Sequence, residues 1–166
     1  MKNKKIALVS VSNHVHEVFT KKIEADCNVT VESLIGISDL LNHTSKLDIN
    51  LIVLDFDGGH SGEVTNQMEK LIILRRCLPN IPLIVISSNT KMSRAVDIIN
   101  YGAVDFIDLT ERSALSSLVS TINETLDYNE GIVEYQMTQK TRRNEYWQLY
   151  VLLSMIIAIN LTILFW

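Results

Sequence analysis

The 166-residue chain predicts an α/β protein, a doubly wound sheet of five parallel strands, with one transmembrane helix at its C-terminal end. Three observations lead there. Five short apolar runs alternate with five segments of helical apolar spacing, the order that builds a parallel sheet between two helical layers. The runs LIVLD at 51–55 and LIVIS at 83–87 are almost continuously apolar, as strands covered on both faces are. Residues 146–166 contain no Asp, Glu, Lys or Arg.

The elements follow in order. Lys5 to Ser10 reads as a buried strand, and Val15, Val18, Phe19 and Ile23 then recur at helical spacing. Cys27 to Val31 is a short strand candidate rich in β-branched residues, and Ile37 to Leu47 a short helix with Ser38 or Asp39 near its start. Leu51 to Asp55 is the third strand. Val64, Met68, Leu71 and Ile72 mark a helix over Glu63 to Leu78, ended by Pro79-Asn80. Pro82 opens a fourth strand, Leu83 to Ile86, which runs into Ser87-Ser88. Lys91 to Tyr101 is a helix stopped by Gly102, Val104 to Ile107 a fifth strand, and Ser113 to Asp127 a fifth helix with Leu115, Leu118, Ile122 and Leu126 on one face. Residues 1–127 form the folded domain. Residues 128–145 are a polar, helical connector, weakened at Gly131.

The last segment, YWQLYVLLSMIIAINLTILFW, would span roughly 31 Å as a helix, the thickness of a bilayer core. Leu, Ile, Val and Phe fill eleven of its positions, which outweighs one Asn and one Gln. Tyr146, Trp147 and Tyr150 at one end and Phe165 and Trp166 at the other suit the two interfaces. Lys140, Arg142 and Arg143 keep the preceding domain cytoplasmic by the positive-inside rule, giving a tail-anchored, single-pass protein. Ser154, Ala158 and Thr162, four apart, make a small-residue stripe for helix packing, and Asn160 could hydrogen-bond across helices; chance composition explains the stripe equally well.

The net charge of −4 supplies no basic field for nucleic acid, and no basic recognition helix is visible. Cys27 and Cys77 lack metal or redox spacing and read as free thiols. His14 and His16, two apart on a helix, point about 200° from each other and cannot share a metal; both read as surface residues, and His60 as a solvated loop residue. Arg75 and Arg76 favour a helix C-terminus, with a partner-binding patch as the other reading.

The chemistry rests on LIVLDFDGGH, where a buried strand ends on Asp55 and Asp57 follows two residues later. In a doubly wound sheet ligands bind outside the carboxyl ends of the strands, where Ser10, Asp55 and Ser87 all fall. Three runs together resemble the receiver domain of bacterial response regulators. LIVLD places Asp55 as the phosphoacceptor, IPLIVISS places Ser87 as the switch hydroxyl, and YGAVDFI places Phe106 as the switch aromatic. The resemblance covers about residues 4 to 127 and implies a flavodoxin-like receiver fold. It also implies partner binding or dimerisation through the fourth helix, fifth strand and fifth helix, within Met92 to Leu126.

The chain departs from the family at its cation groups. Receivers carry two adjacent acids at the end of the first strand to hold Mg²⁺; the matching residues are Ser10 and Val11. They carry a Lys at the end of the fifth strand, where Leu109 stands, followed by Thr110 instead of Pro; Gly59 replaces the Pro four residues after the phosphoacceptor. Aspartyl phosphorylation needs compensation for charge on the phosphoryl oxygens, and Mg²⁺ needs several oxygen ligands. The expectation is a degenerate receiver, or pseudo-receiver, with no catalytic residue and no cofactor. It would act as a phosphorylation-independent interaction module at the bacterial inner membrane, with a protein partner or a second copy.

Two alternatives share the site. A working phosphoacceptor would switch at Asp55, with Asp55 and Asp57 on Mg²⁺. A haloacid-dehalogenase-like phosphatase would use Asp55 and Asp57 as nucleophile and general acid, Ser87 as second-motif hydroxyl, and Asp105 and Asp108 as metal acids. That family's first motif opens the domain, whereas two strands precede Asp55 here, and Lys91 is the single lysine between Ser87 and Asp105.

Overall fold

The computed structural model describes residues 4–43, 48–57, 64–88 and 92–132. Five strands form one parallel sheet in the order β2-β1-β3-β4-β5. They are β1 (Lys5–Val9), β2 (Thr30–Leu34), β3 (Leu51–Asp55), β4 (Leu83–Ser87) and β5 (Asp105–Asp108), connected by helices α1 (Asn13–Cys27), α2 (Ile37–His43), α3 (Val64–Cys77) and α4 (Met92–Asn100). A fifth helix, α5, covers 114–132 of the described chain. The expected doubly wound sheet is therefore present. Met1–Leu126 forms one compact unit, and the chain from Asp127 belongs to a second.

Burial explains the strand sequences. Every residue of β3 and β4 is buried, so both faces are apolar up to the polar strand ends Asp55 and Ser87. Alternate side chains go to opposite faces. Ile6, Leu8, Leu51, Val53, Ile84, Ile86 and Ile107 meet Phe19 and Ile23 of α1 and Leu118, Ile122 and Leu126 of α5. Ala7, Val9, Ile52, Leu54, Leu83 and Val85 meet Leu40 of α2, Leu71 and Leu74 of α3, and Ile98 of α4. The edge strand β2, TVESL, has no fully buried residue.

Several boundaries differ from expectation. Cys27 ends α1 instead of opening β2. Asn28 takes a left-handed conformation (φ 50°, ψ 49°) and caps the helix, so the strand begins at Thr30, whose N–H donates to Lys4 O at 2.9 Å. β1 ends at Val9, and Ser10 stands just beyond it. β5 begins one residue later than expected, at Asp105; Val104 before it is half exposed and gives its N–H to Leu83 O. At the start of α1 the Ser12 side chain accepts the Val15 N–H. Helix α5 continues through Gly131, where nothing crowds the position of a Cβ.

The expected membrane segment 146–166, with Ser154, Ala158, Asn160 and Thr162, lies outside the described residues, as do Gly58, Gly59, His60 and Lys91. Among the described residues no helix is long and apolar enough to cross a membrane.

Candidate functional site

Register brings the site together. Asp55 pairs with Ile86 in the β3–β4 ladder, and Ser87 pairs with Asp108 in the β4–β5 ladder. Ser10, Asp55 and Ser87 therefore lie at neighbouring strand ends. They are among the few polar residues that are buried, at 2%, 8% and 0% exposure.

Each carboxylate has its own set of donors. Ser10 Oγ donates to Asp55 Oδ2 at 2.5 Å, and the Asp57 N–H donates to Asp55 Oδ1 at 3.0 Å. Ser87 Oγ donates to Asp57 Oδ1, and the Ser88 N–H and Ser88 Oγ (2.6 Å) donate to Asp57 Oδ2. The two acids turn apart, Asp55 toward β1 and Asp57 toward β4. Every one of these donors is neutral.

Ser10 is held on all sides. Its Oγ accepts the Ser12 N–H at 3.0 Å, its N–H donates to Leu34 O at 3.0 Å, and its carbonyl accepts from His16 Nε2 at 2.6 Å. A carbonyl can only accept, so the proton sits on Nε2 and His16 is not the free surface residue expected. Its Nδ1 is enclosed without a hydrogen-bond partner. No spacing in the sequence signals this contact, because it depends on how the β1–α1 turn folds back. His14 is exposed.

The remaining positions are accounted for separately. Val11 is 52% exposed and lines a cleft beside Asp55. Leu109 gives its N–H to Ser87 O at 2.8 Å, and its side chain packs on the core shared by α1 and α5. Phe106 is partly buried against the other core. Asp108 accepts from the Thr110 N–H (2.8 Å) and Oγ1 (2.7 Å), which lowers its pKa below the usual carboxylate value. Asp105 sits at the start of β5, level with Ile84, and accepts from Thr121 Oγ1 at 3.0 Å. It is thus at the wrong end of the strand to join Asp55.

The donor set does not fit Mg²⁺. That ion asks for near-octahedral oxygen ligands at about 2.0–2.1 Å and holds them by charge. Here the two carboxylates point to different strands and are engaged by serine, and among the described residues no group of three His, Cys, Asp or Glu comes together.

Beside Asp55 opens a cleft of about 320 Å³, between the ends of β1 and β3 and helices α2 and α3. Its rim is apolar, with Val11, Ile35 and Ile73 exposed, and Lys70 is its cation among the described residues. The sequence reading missed this cleft, since its walls come from four separate segments.

Arg75 and Arg76 stand in the last turn of α3, as expected of a helix-end charge, and Arg75 has a structural task as well. Its guanidinium donates to the carbonyls of Leu78 (3.3 Å), Pro79 (2.9 Å) and Ile81 (2.7 Å), fixing the turn into β4. It also backs onto Gly102, whose φ of 97° favours glycine and where an added Cβ would lie 3.1 Å from Arg75 Nε.

No protein-family model and no curated protein sequence matches the chain. Solved structures do. The receiver domain of a Francisella response regulator aligns with a TM-score of 0.65 at 16% identity, covering 76% of this chain and 99% of its own. A CheY-like receiver domain protein from Methanospirillum hungatei aligns at 0.65 with 19% identity, covering 78% and 98%. An orphan response regulator of H. pylori aligns at 0.60 with 15% identity, covering 74% and 96%. The fold is that of response-regulator receiver domains.

Proposed function

We propose that this chain is a membrane-anchored pseudo-receiver, a non-enzymatic module that signals by binding another protein without aspartyl phosphorylation. The observation that supports this best is the hydrogen bond from Ser10 to Asp55. A neutral hydroxyl occupies the place where the family would set acids and their Mg²⁺, and Leu109 packs into the core where the family would set a lysine. A phosphoryl group on Asp55 would meet the charge of Asp57 nearby, and among the described residues the cleft beside it offers the cation of Lys70 alone.

The binding face we propose runs over α4, β5 and α5. Val96, Ile99, Tyr101 and Val104 are 41–56% exposed there, a group of large apolar side chains beyond what an isolated surface residue needs. Residues 146–166 would hold the domain on the cytoplasmic side of a bacterial inner membrane, where tethering raises its effective concentration near membrane partners. A photo-crosslinker at Tyr101 in membranes is expected to trap a partner protein or a second copy; a blank lane at full expression counts against the face.

The deciding experiment uses the full chain in detergent micelles with Mg²⁺ and acetyl phosphate, and Asp55→Asn as control. Intact mass is expected to show no added phosphoryl group on either protein. A phosphoryl adduct on the parent alone would make Asp55 a working switch and end the proposal.

A further inference from the structure

Asp57 is bound from three sides by the end of β4. Ser87 Oγ donates to one carboxylate oxygen, and the Ser88 N–H and Oγ donate to the other. The turn that aims it there is itself fixed. Asp55 Oδ1 accepts the Asp57 N–H at 3.0 Å, and the Phe56 N–H donates to Ile86 O at 2.8 Å. Ser87 is fully buried, so its hydroxyl cannot turn to water instead. One backbone N–H and two hydroxyls converging on a carboxylate make an oxyanion cradle whose occupant belongs to the chain.

We propose that Asp57 is a built-in anion, its carboxylate filling a donor cradle that would otherwise take a small tetrahedral oxyanion of the phosphate class. The occupant is tethered by a two-residue turn, so it competes at an effective concentration in the millimolar range or above. The cradle is therefore closed to free anions and the ends of β3 and β4 are held together without any ligand. This rests on the pseudo-receiver reading and deepens it, because a permanently filled cradle leaves no vacancy for a phosphoryl group to fill.

The test compares the parent and Asp57→Ala, both as the full chain in detergent micelles. Melting is followed against inorganic phosphate, with chloride at matched ionic strength. The parent is expected to be unmoved. Asp57→Ala is expected to rise by roughly 4 °C at tenfold excess over its Kd, and Ser87→Ala added to it to abolish the rise. No response in Asp57→Ala, or an equal response in the parent, overturns the built-in anion and leaves the pseudo-receiver reading standing. A phosphoryl adduct on Asp55 of the parent overturns both. Should Asp57→Ala fail to fold, hydrogen exchange on the parent decides. The Ser88 amide is expected to exchange at least roughly tenfold more slowly than a free loop amide, and exchange at the free rate overturns the inference.

Discussion

Asp55 keeps its place at the strand end, but its oxygens are committed to Ser10 and to the Asp57 backbone. Removing the hydroxyl strands a buried carboxylate oxygen, so Ser10→Ala should cost about 1.5–3 kcal/mol, read as a lower urea midpoint at unchanged slope. In Ser10→Ala/Asp55→Ala the loss should be smaller than the sum of the two single changes, because both remove one bond. The thiols also divide by environment. Burial first, and the neighbouring Asp26 second, push the Cys27 pKa up, while Cys77 is exposed. A raised thiol pKa means that the folded state holds the proton more tightly. Its contribution to stability is complete below the unfolded value and is lost as pH rises through the folded one. Iodoacetamide at neutral pH should modify Cys77 first and Cys27 roughly tenfold more slowly, followed by mass.

At the scale of elements, the turn between α4 and β5 depends on Gly102 and on the guanidinium behind it. Gly102→Ala should cost about 1–3 kcal/mol in thermal or chemical melts, from the positive φ and the contact with Arg75 together. The central strands were legible because burial on both faces keeps them apolar until their ends, Asp55 and Ser87. The edge strand β2 was placed three residues early because its later part is polar, while the β-branched run Val29-Thr30-Val31 draws the expected strand toward its start. Asn28, a residue that tolerates the left-handed cap, was the available signal. In the site, the serine and leucine substitutions at positions 10 and 109 could be read by counting from motifs. The grip of Ser87 and Ser88 on Asp57 could not, since it arises from pairing between strands 30 residues apart. His16 is the same case, a contact made by a turn and not by a spacing.

For the molecule as a whole, the proposed anchor makes a prediction of location. The full chain should stay with membranes through an alkaline carbonate wash, and a chain ending at residue 145 should not; release of the full chain would remove the anchor. The sheet itself has a further consequence. It stands as a wall between two cores that exchange no side chains, one under α1 and α5, the other under α2, α3 and α4. Ile84 and Val85 are neighbours in sequence, yet they live in different compartments. Ile84→Val and Leu71→Ala should therefore add to within about 0.5 kcal/mol, while Ile84→Val and Leu118→Ala, on one side, should depart from additivity. A lineage can thus redraw one compartment by many substitutions while the other keeps its packing. That leaves the α4 part of the proposed face free to follow a changing partner without renegotiating the interior beneath α1 and α5.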